Sequence, residues 1–266
     1  MQADSFTAGL EDNVLRLEEV SKAYGAKLAV DRVSFGMRAG STLGLLGPNG
    51  AGKTSLINCI NGFYHPQSGT NTFKGVTRKR VRPHHVAREG IARTFQNVAL
   101  FKGMSTLDNI MTGRILKMRT NFLLQALYWG PNLREENVHR EACEHIIDFL
   151  EIQAIRHTPV GRLPYGLQKR VELARALAME PDLLLLDEPM AGMNLEEKQD
   201  MCRFILDTNQ QFGTTILLIE HDMGVVMDLS DRVAVLDYGN KIADGTPEAV
   251  QQDHRVIDAY LGVAHA

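Results

Sequence analysis

Residues 47–54 read Gly-Pro-Asn-Gly-Ala-Gly-Lys-Thr and fit the pattern G-x-x-x-x-G-K-[ST]. A loop of this kind aims several backbone N–H groups and the positive end of a following helix at one point, which suits a polyphosphate. Gly47, Pro48, Asn49, Gly50, Ala51 and Gly52 form the cradle. Lys53 is placed to reach β- and γ-phosphates, Thr54 to hold Mg²⁺ through its hydroxyl, and Ser55 to open the helix. A second set of groups lies at 183–188, Leu-Leu-Leu-Leu-Asp-Glu. Four leucines bury a strand, so Asp187 emerges at its carboxyl end, where open α/β sheets bind ligands. Asp187 there is expected to serve the metal, and Glu188 to accept a proton from an attacking water.

These groups need a frame. Thr42–Leu46 is an apolar run of buried-strand type leading into the loop, and Ser55–Ile60 reads as the first turns of a helix. Val14–Glu18 alternates like a strand, as does Ala29–Met37. Ile91–Phe95 reads as a short strand ending at Gln96. Residues 105–160 change to helical spacing, in Leu107-Ile110-Met111 and in Ala142-Ile146-Phe149-Leu150. From 181 onward the α/β alternation returns: strands at 183–186 and 215–219, helices at 196–210 and from Met223, then strands 233–236 and 241–243 around Gly239-Asn240. Strands apolar throughout and separated by helices predict a mostly parallel sheet covered on both faces. The expected fold class is α/β, a P-loop NTPase with an N-terminal antiparallel β subdomain and a helical subdomain insert. One nucleotide-binding domain is expected over 13–262, with the insert at about 97–177 and tails at 1–12 and 263–266.

Whole-chain properties narrow the function. The 266 residues carry a net charge of −3, so no global basic field points to nucleic acid. No apolar run approaches the ~20 residues that span a bilayer. The polar start, with no apolar stretch, is unlike a secretory signal. Cys59, Cys143 and Cys202 are odd in number and outside any metal spacing, so free thiols in a reducing compartment are expected. Arg78-Lys79-Arg80-Val81-Arg82 reads as a solvated basic loop, or more sharply as a contact for acidic headgroups or a permease loop. Residues 122–129, FLLQALYW, read as core of the insert or as a partner contact.

Residues 163–177 read LPYGLQKRVELARAL, which resembles the LSGGQ signature and its helix in ABC-transporter ATPases. Other pieces agree in order: Tyr24 where that family places an aromatic on adenine, Gln96 at the Q-loop glutamine, Ala191–Asn194 at the D-loop, and His221 in IEHD at the switch histidine. Within the family, IARTFQNVALFKGMSTLDNIMTGR, IEHDMGVVMDLSDRVAVLDYG and the ending VIDAYLG look like the ATPases of branched-chain amino-acid (Liv-type) importers. The resemblance implies ATP and Mg²⁺ as cofactors, with Glu188, His221 and Gln96 catalytic and Thr54, Gln96 and Asp187 at the metal. It places Tyr24 and residues 47–55 on the same subunit's nucleotide, and Tyr165 and Gly166 on a nucleotide held by the opposite subunit.

The implied partners are a second ABC ATPase subunit, transmembrane permease subunits and, indirectly, an extracytoplasmic solute-binding protein, with this chain peripheral on the cytoplasmic face of the inner membrane. An exporter ATPase, for lipid or another cargo, and a soluble non-transport ABC ATPase are the alternatives. Two departures stand out. Pro164 replaces the signature serine and lacks both hydroxyl and N–H. It does suit the first turn of a helix, so the helix is expected to survive. Asn194 stands where the D-loop usually has aspartate.

Overall fold

The computed structural model describes residues 13–78, 80–118 and 131–261, with the side chains of 131–134 excepted. Lys79 and the apolar stretch 122–129 lie outside the described residues, as do both tails.

In chain order the strands and helices are β1 (Asn13–Tyr24), β2 (Lys27–Arg38), β3 (Thr42–Leu46), α1 (Lys53–Ile60), β4 (Ser68–Phe73), β5 (Val76–Arg78), α2 (Pro83–Arg88) and β6 (Ile91–Arg93). There follow α3 (Thr106–Met111), α4 (Pro131–Phe149), α5 (Tyr165–Leu177), β7 (Leu183–Asp187), α6 (Leu195–Phe212), β8 (Thr215–Ile219), α7 (Met223–Leu229), β9 (Arg232–Asp237), β10 (Asn240–Gly245), α8 (Pro247–Gln251) and α9 (His254–Leu261). Two sheets form, a four-stranded one in the order β2-β1-β4-β5 and a six-stranded one in the order β10-β9-β3-β8-β7-β6. The first is antiparallel throughout. In the second, β3 pairs parallel with β8 and β9, and β7 pairs parallel with β8. The P-loop NTPase class expected from the sequence is therefore the one observed, down to the antiparallel N-terminal sheet.

The chain divides into two compact units: residues 1–91, 182–188 and 205–266, and residues 92–181 and 189–204. In the first, the core joins Leu15, Leu17, Val33 and Phe35 of the antiparallel sheet to Leu56, Ile57 and Ile60 of α1 and to Leu43, Leu45, Leu185 and Leu217 of the mostly parallel sheet. A second cluster covers that sheet's other face, where Leu46, Val233 and Val235 meet Val226, Val250 and Val256. This is why β3, β7 and β8 read as unbroken apolar runs: both faces are covered.

The second unit is helical. Among the described residues Phe204 is its largest fully buried side chain, with Phe149 at 6.2 Å and the Arg203 and Arg170 guanidinium groups at 4.5 and 5.1 Å from its ring. Truncating it leaves a cavity that the surrounding helices fill only in part. Phe204→Ala is expected to cost about 3–5 kcal/mol, read as a lowered denaturant midpoint at unchanged slope.

Three local expectations need correction. The strand from Ile91 stops at Arg93, not Phe95, because the Phe95 N–H is taken by the Glu172 carboxylate. Arg78 does not belong to a solvated loop. It ends β5, is buried, pairs with Glu89 and lies 4.7 Å over the Phe73 ring, so it carries no headgroup contact. Pro164 is the N-cap of α5, with φ −52° and ψ 153°, not a first-turn residue; the helix begins at Tyr165. A proline at the cap already has the extended ψ the cap needs, so the helix survives as expected. All three cysteines are free thiols, and burial pushes those of Cys59 and Cys143 up to about 11.

Candidate functional site

β3 delivers the chain into the loop at Gly47. That residue has φ +146°, and a Cβ there would lie 2.2 Å from the Leu236 carbonyl oxygen. Gly52, the N-cap of α1, has φ +104° and comes equally close to the Ala29 carbonyl. Between them the loop turns on an Ala51 N–H to Pro48 carbonyl bond of 3.1 Å. The first backbone bond of α1 runs from Leu56 N–H to Gly52 O at 2.9 Å. The N–H groups of Gly52, Lys53, Thr54 and Ser55 therefore precede the helical ladder, and no side chain caps them. That is a nest of orphan donors at the positive end of a helix, which is the geometry an anion takes.

Lys53 is buried. Its ammonium donates to the Gly47 carbonyl at 2.6 Å and to the Pro48 carbonyl at 3.2 Å. Burial pulls its pKa down, and the charges of Glu188 and Asp187 oppose that fall. The loop and the two acids are thus brought into one electrostatic site. The sheet order explains it: β8 lies between β3 and β7, all three run the same way, and their carboxyl ends share an edge. Asp187, paired in register with Ile219, is 5% exposed. Glu188 follows at φ +49°, a left-handed conformation that costs a non-glycine residue about 1–2 kcal/mol, and its N–H donates to the Ile219 carbonyl at 2.9 Å. That bond and the end of β7 hold the turn open.

His221 follows β8 with a side chain 62% exposed and its Nδ1 3.7 Å from Glu220. The capping of α7 falls to Asp222, which accepts from the N–H groups of Gly224 and Val225 at 3.1 and 3.4 Å. His221 is thereby left out of the helix cap. Tyr24, at the end of β1, is 43% exposed, and its hydroxyl lies 3.4 Å from the Ser55 hydroxyl. Its ring meets Tyr64 edge-on at 5.5 Å.

The remaining expected site residues belong to the second unit. Gln96 is exposed in a bend after β6. Tyr165 and Gly166 form the first turn of α5. The Tyr165 ring packs on Gly192, and the Glu197 carboxylate lies where a Cβ on Gly166 would stand. Glu197 and Asn194 bond reciprocally, each accepting the other's backbone N–H, at 3.0 and 2.9 Å. Asn194 is thus a helix cap in a capping-box arrangement, a role its side-chain oxygen fills without the aspartate charge.

Residues 30–191 match the family model described as ABC transporter. The chain belongs to the ABC transporter family. Residues 240–266 match a second model, described as branched-chain amino acid ATP-binding cassette transporter. The chain is 39% identical over 254 residues to the high-affinity branched-chain amino acid transport ATP-binding protein BraF of Pseudomonas aeruginosa, covering 94% of this chain and 98% of that one. It is 37% identical, with the same coverage, to LivG of Escherichia coli, whose name is otherwise the same. Among solved structures, the ADP conformation of the ABC-transporter cassette MJ1267 is 32% identical, with a TM-score of 0.82 over 94% of this chain and 99% of that one.

As an ABC ATPase, the chain binds ATP. The orphan N–H nest and Lys53 fit its phosphates. Within the first unit, Thr54 and Asp187 carry a hydroxyl and a carboxylate, hard oxygen donors of the kind Mg²⁺ accepts.

Three groups escaped the sequence reading. Tyr260 of α9 places its hydroxyl 3.0 Å from the Gly47 N–H, so the ABC ATPase ties its C-terminal helix to the first residue of the phosphate loop. The only trace of this in the sequence was the ending VIDAYLG. Tyr64 flanks Tyr24. Lys169 and Glu172, on α5, bond the backbone around Gln96.

Proposed function

We propose that this chain is the ATP-hydrolysing, energy-coupling subunit of an importer for branched-chain amino acids or chemically related small solutes. The observation that carries the reading is the meeting of the phosphate loop with Asp187 and Glu188 at one sheet edge, in a chain whose residues 240–266 match the branched-chain cassette model. In this reading residues 13–262 act as one cassette on the cytoplasmic face of the membrane. The cassette pairs with a second ATPase subunit, and the pair works on transmembrane permease subunits served by a solute-binding protein. The 47–55 segment grips the triphosphate, Tyr24 stacks on adenine, and Glu188 takes the proton of the attacking water. His221 donates to the γ-phosphate and steadies Glu188. Thr54, Asp187 and Gln96 would be the residues that hold Mg²⁺, which would screen the phosphate charge. Tyr165 and Gly166 offer their N–H groups to the nucleotide of the opposite subunit. The test is to purify the intact membrane complex, identify its subunits, and measure ATPase activity with leucine, isoleucine, valine, amides, urea and aromatic acids. Absence of stimulation by any branched-chain amino acid would overturn the substrate class.

Pro164 bears on the opposite site. It brings no hydroxyl to the signature, and its place at the cap offers no side-chain hydrogen bond. Restoring serine should add about one hydrogen bond to a charged group, worth about 1.5–3 kcal/mol. Pro164→Ser is therefore expected to raise the ATPase rate of the assembled complex at subsaturating ATP. An unchanged or lower rate would show that the proline does not weaken the contact.

A further inference from the structure

Lys169, Glu172 and Arg175 recur every three residues along α5 and share one side of it. Lys169 is 3% exposed and Glu172 1%. The Lys169 ammonium donates to the carbonyls of Phe95 at 3.0 Å and Gln96 at 2.8 Å. One Glu172 oxygen accepts the N–H groups of Phe95 at 3.3 Å and Ala99 at 3.4 Å. Arg175 donates to the Ala99 carbonyl at 2.6 Å. Lys169 and Glu172 lie 3.7 Å apart and pair with each other.

Burying two charges is costly, and apolar side chains of like volume often stabilise a core as well or better. Stability alone therefore gives no reason for this pair. What the pair does, and apolar side chains cannot, is fix the main chain on both sides of Gln96. Bonds at 95, 96 and 99 determine the peptide planes there and hence where the exposed Gln96 side chain is presented. Burial raises the Glu172 carboxyl, the expected result of so dry a position.

We infer that Lys169 and Glu172 are positioning residues that clamp the Gln96 segment to α5, the helix whose first turn is Tyr165 and Gly166. The inference rests on the role given to Gln96 above. It carries a consequence for coupling: a shift of the α5 N-terminus, when the opposite subunit's nucleotide engages Tyr165 and Gly166, moves the Gln96 backbone with it. The two nucleotide sites are then linked through one helix by hydrogen bonds, with no need for a distributed pathway.

The test uses the full chain and its assembled complex. The pair variant Lys169→Met/Glu172→Leu removes the two fully buried charges together, and Arg175, which loses the Glu172 charge beside it, keeps its bond to the Ala99 carbonyl. It is expected to melt close to wild type, while amide exchange at Phe95 and Ala99 accelerates about tenfold. In the complex its kcat is expected to fall about tenfold with KM for ATP within about twofold, and the half-saturating Mg²⁺ concentration to rise. In a Gln96→Ala background the same pair change should have no further effect on kcat. Lys169→Arg made alone, which keeps the charge and donors, should retain most of the rate. Unchanged exchange at 95 and 99, a wild-type kcat, or effects that multiply with Gln96→Ala would each overturn the clamp. If Gln96→Ala itself keeps the full rate, the role of Gln96 fails instead, and the exchange measurement still decides whether the clamp holds the segment. Should the pair variant not fold, Lys169→Met/Glu172→Gln, which also removes both charges, is read by the same exchange and kinetic measurements.

Discussion

Glu188→Gln is expected to bind ATP as wild type does and to hydrolyse it about 10²–10⁴ times more slowly, the usual loss when a positioned general base is removed. The substitution keeps shape and hydrogen-bonding reach and removes the negative charge and, with it, the ability to take a proton. The backbone should not change, since the φ of +49° is held by the bond from its N–H to the Ile219 carbonyl, which the side chain does not make. Affinity should hold or tighten, because a negative charge acting on the Lys53 site is lost. Single-turnover hydrolysis in the assembled complex, beside nucleotide binding to the full chain, separates the two quantities. Residual turnover above about a tenth of wild type would remove Glu188 from the role of base. Asp187→Asn gives a contrast: its loss should be recovered in part by raising Mg²⁺, whereas that of Glu188→Gln should not.

The second large effect is expected at the glycines of the phosphate loop, where two positions of like φ should behave differently. At Gly52 a Cβ would stand 2.2 Å from the Ala29 carbonyl oxygen, in a backbone conformation of φ +104°. Neither atom is the end of a flexible side chain, so the loop or β2 must shift. The orphan N–H groups of Gly52, Lys53 and Thr54 then leave their common focus. Gly52→Ala is expected to lose ATP affinity by about a hundredfold or more, the scale of one or two charged hydrogen bonds. At Gly50, φ is +84° but nothing lies within 4 Å of a Cβ. Gly50→Ala should show only the conformational strain, about 1–2 kcal/mol, or roughly tenfold in affinity. Titration of both variants with ATP, together with their melting temperatures, checks the ordering. Equal losses would show that space around the loop is not what makes Gly52 necessary.

Legibility followed the range of the interactions. The strand ends at Thr215 and Ile219 are those expected, because an apolar run buried on both faces is bounded by local composition alone. Arg78 was misread because a basic run looks solvated unless its partners are known. Glu89 and the Phe73 ring come to it through the fold of β4, β5 and α2, not through spacing. The end of β6 was misplaced for the same reason: Phe95 has the composition of a strand residue, but its N–H is claimed from Glu172 on a helix far along the chain.

The sequence by itself determined the phosphate loop, the leucine strand with Asp187 and Glu188 at its end, the α/β class and the family resemblance. Each is written in contiguous residues whose spacing dictates a local geometry. Only the tertiary structure decided that Tyr260 holds Gly47, that Asp222 caps α7 ahead of His221, that Asn194 serves as a cap, and that Lys169 and Glu172 fix the backbone around Gln96. Two of those contacts join residues 213 and 73 positions apart, and the two capping bonds depend on backbone angles. Neither can be read from residue type, because a lysine or tyrosine in the sequence has the same composition whether it meets water or a distant backbone group.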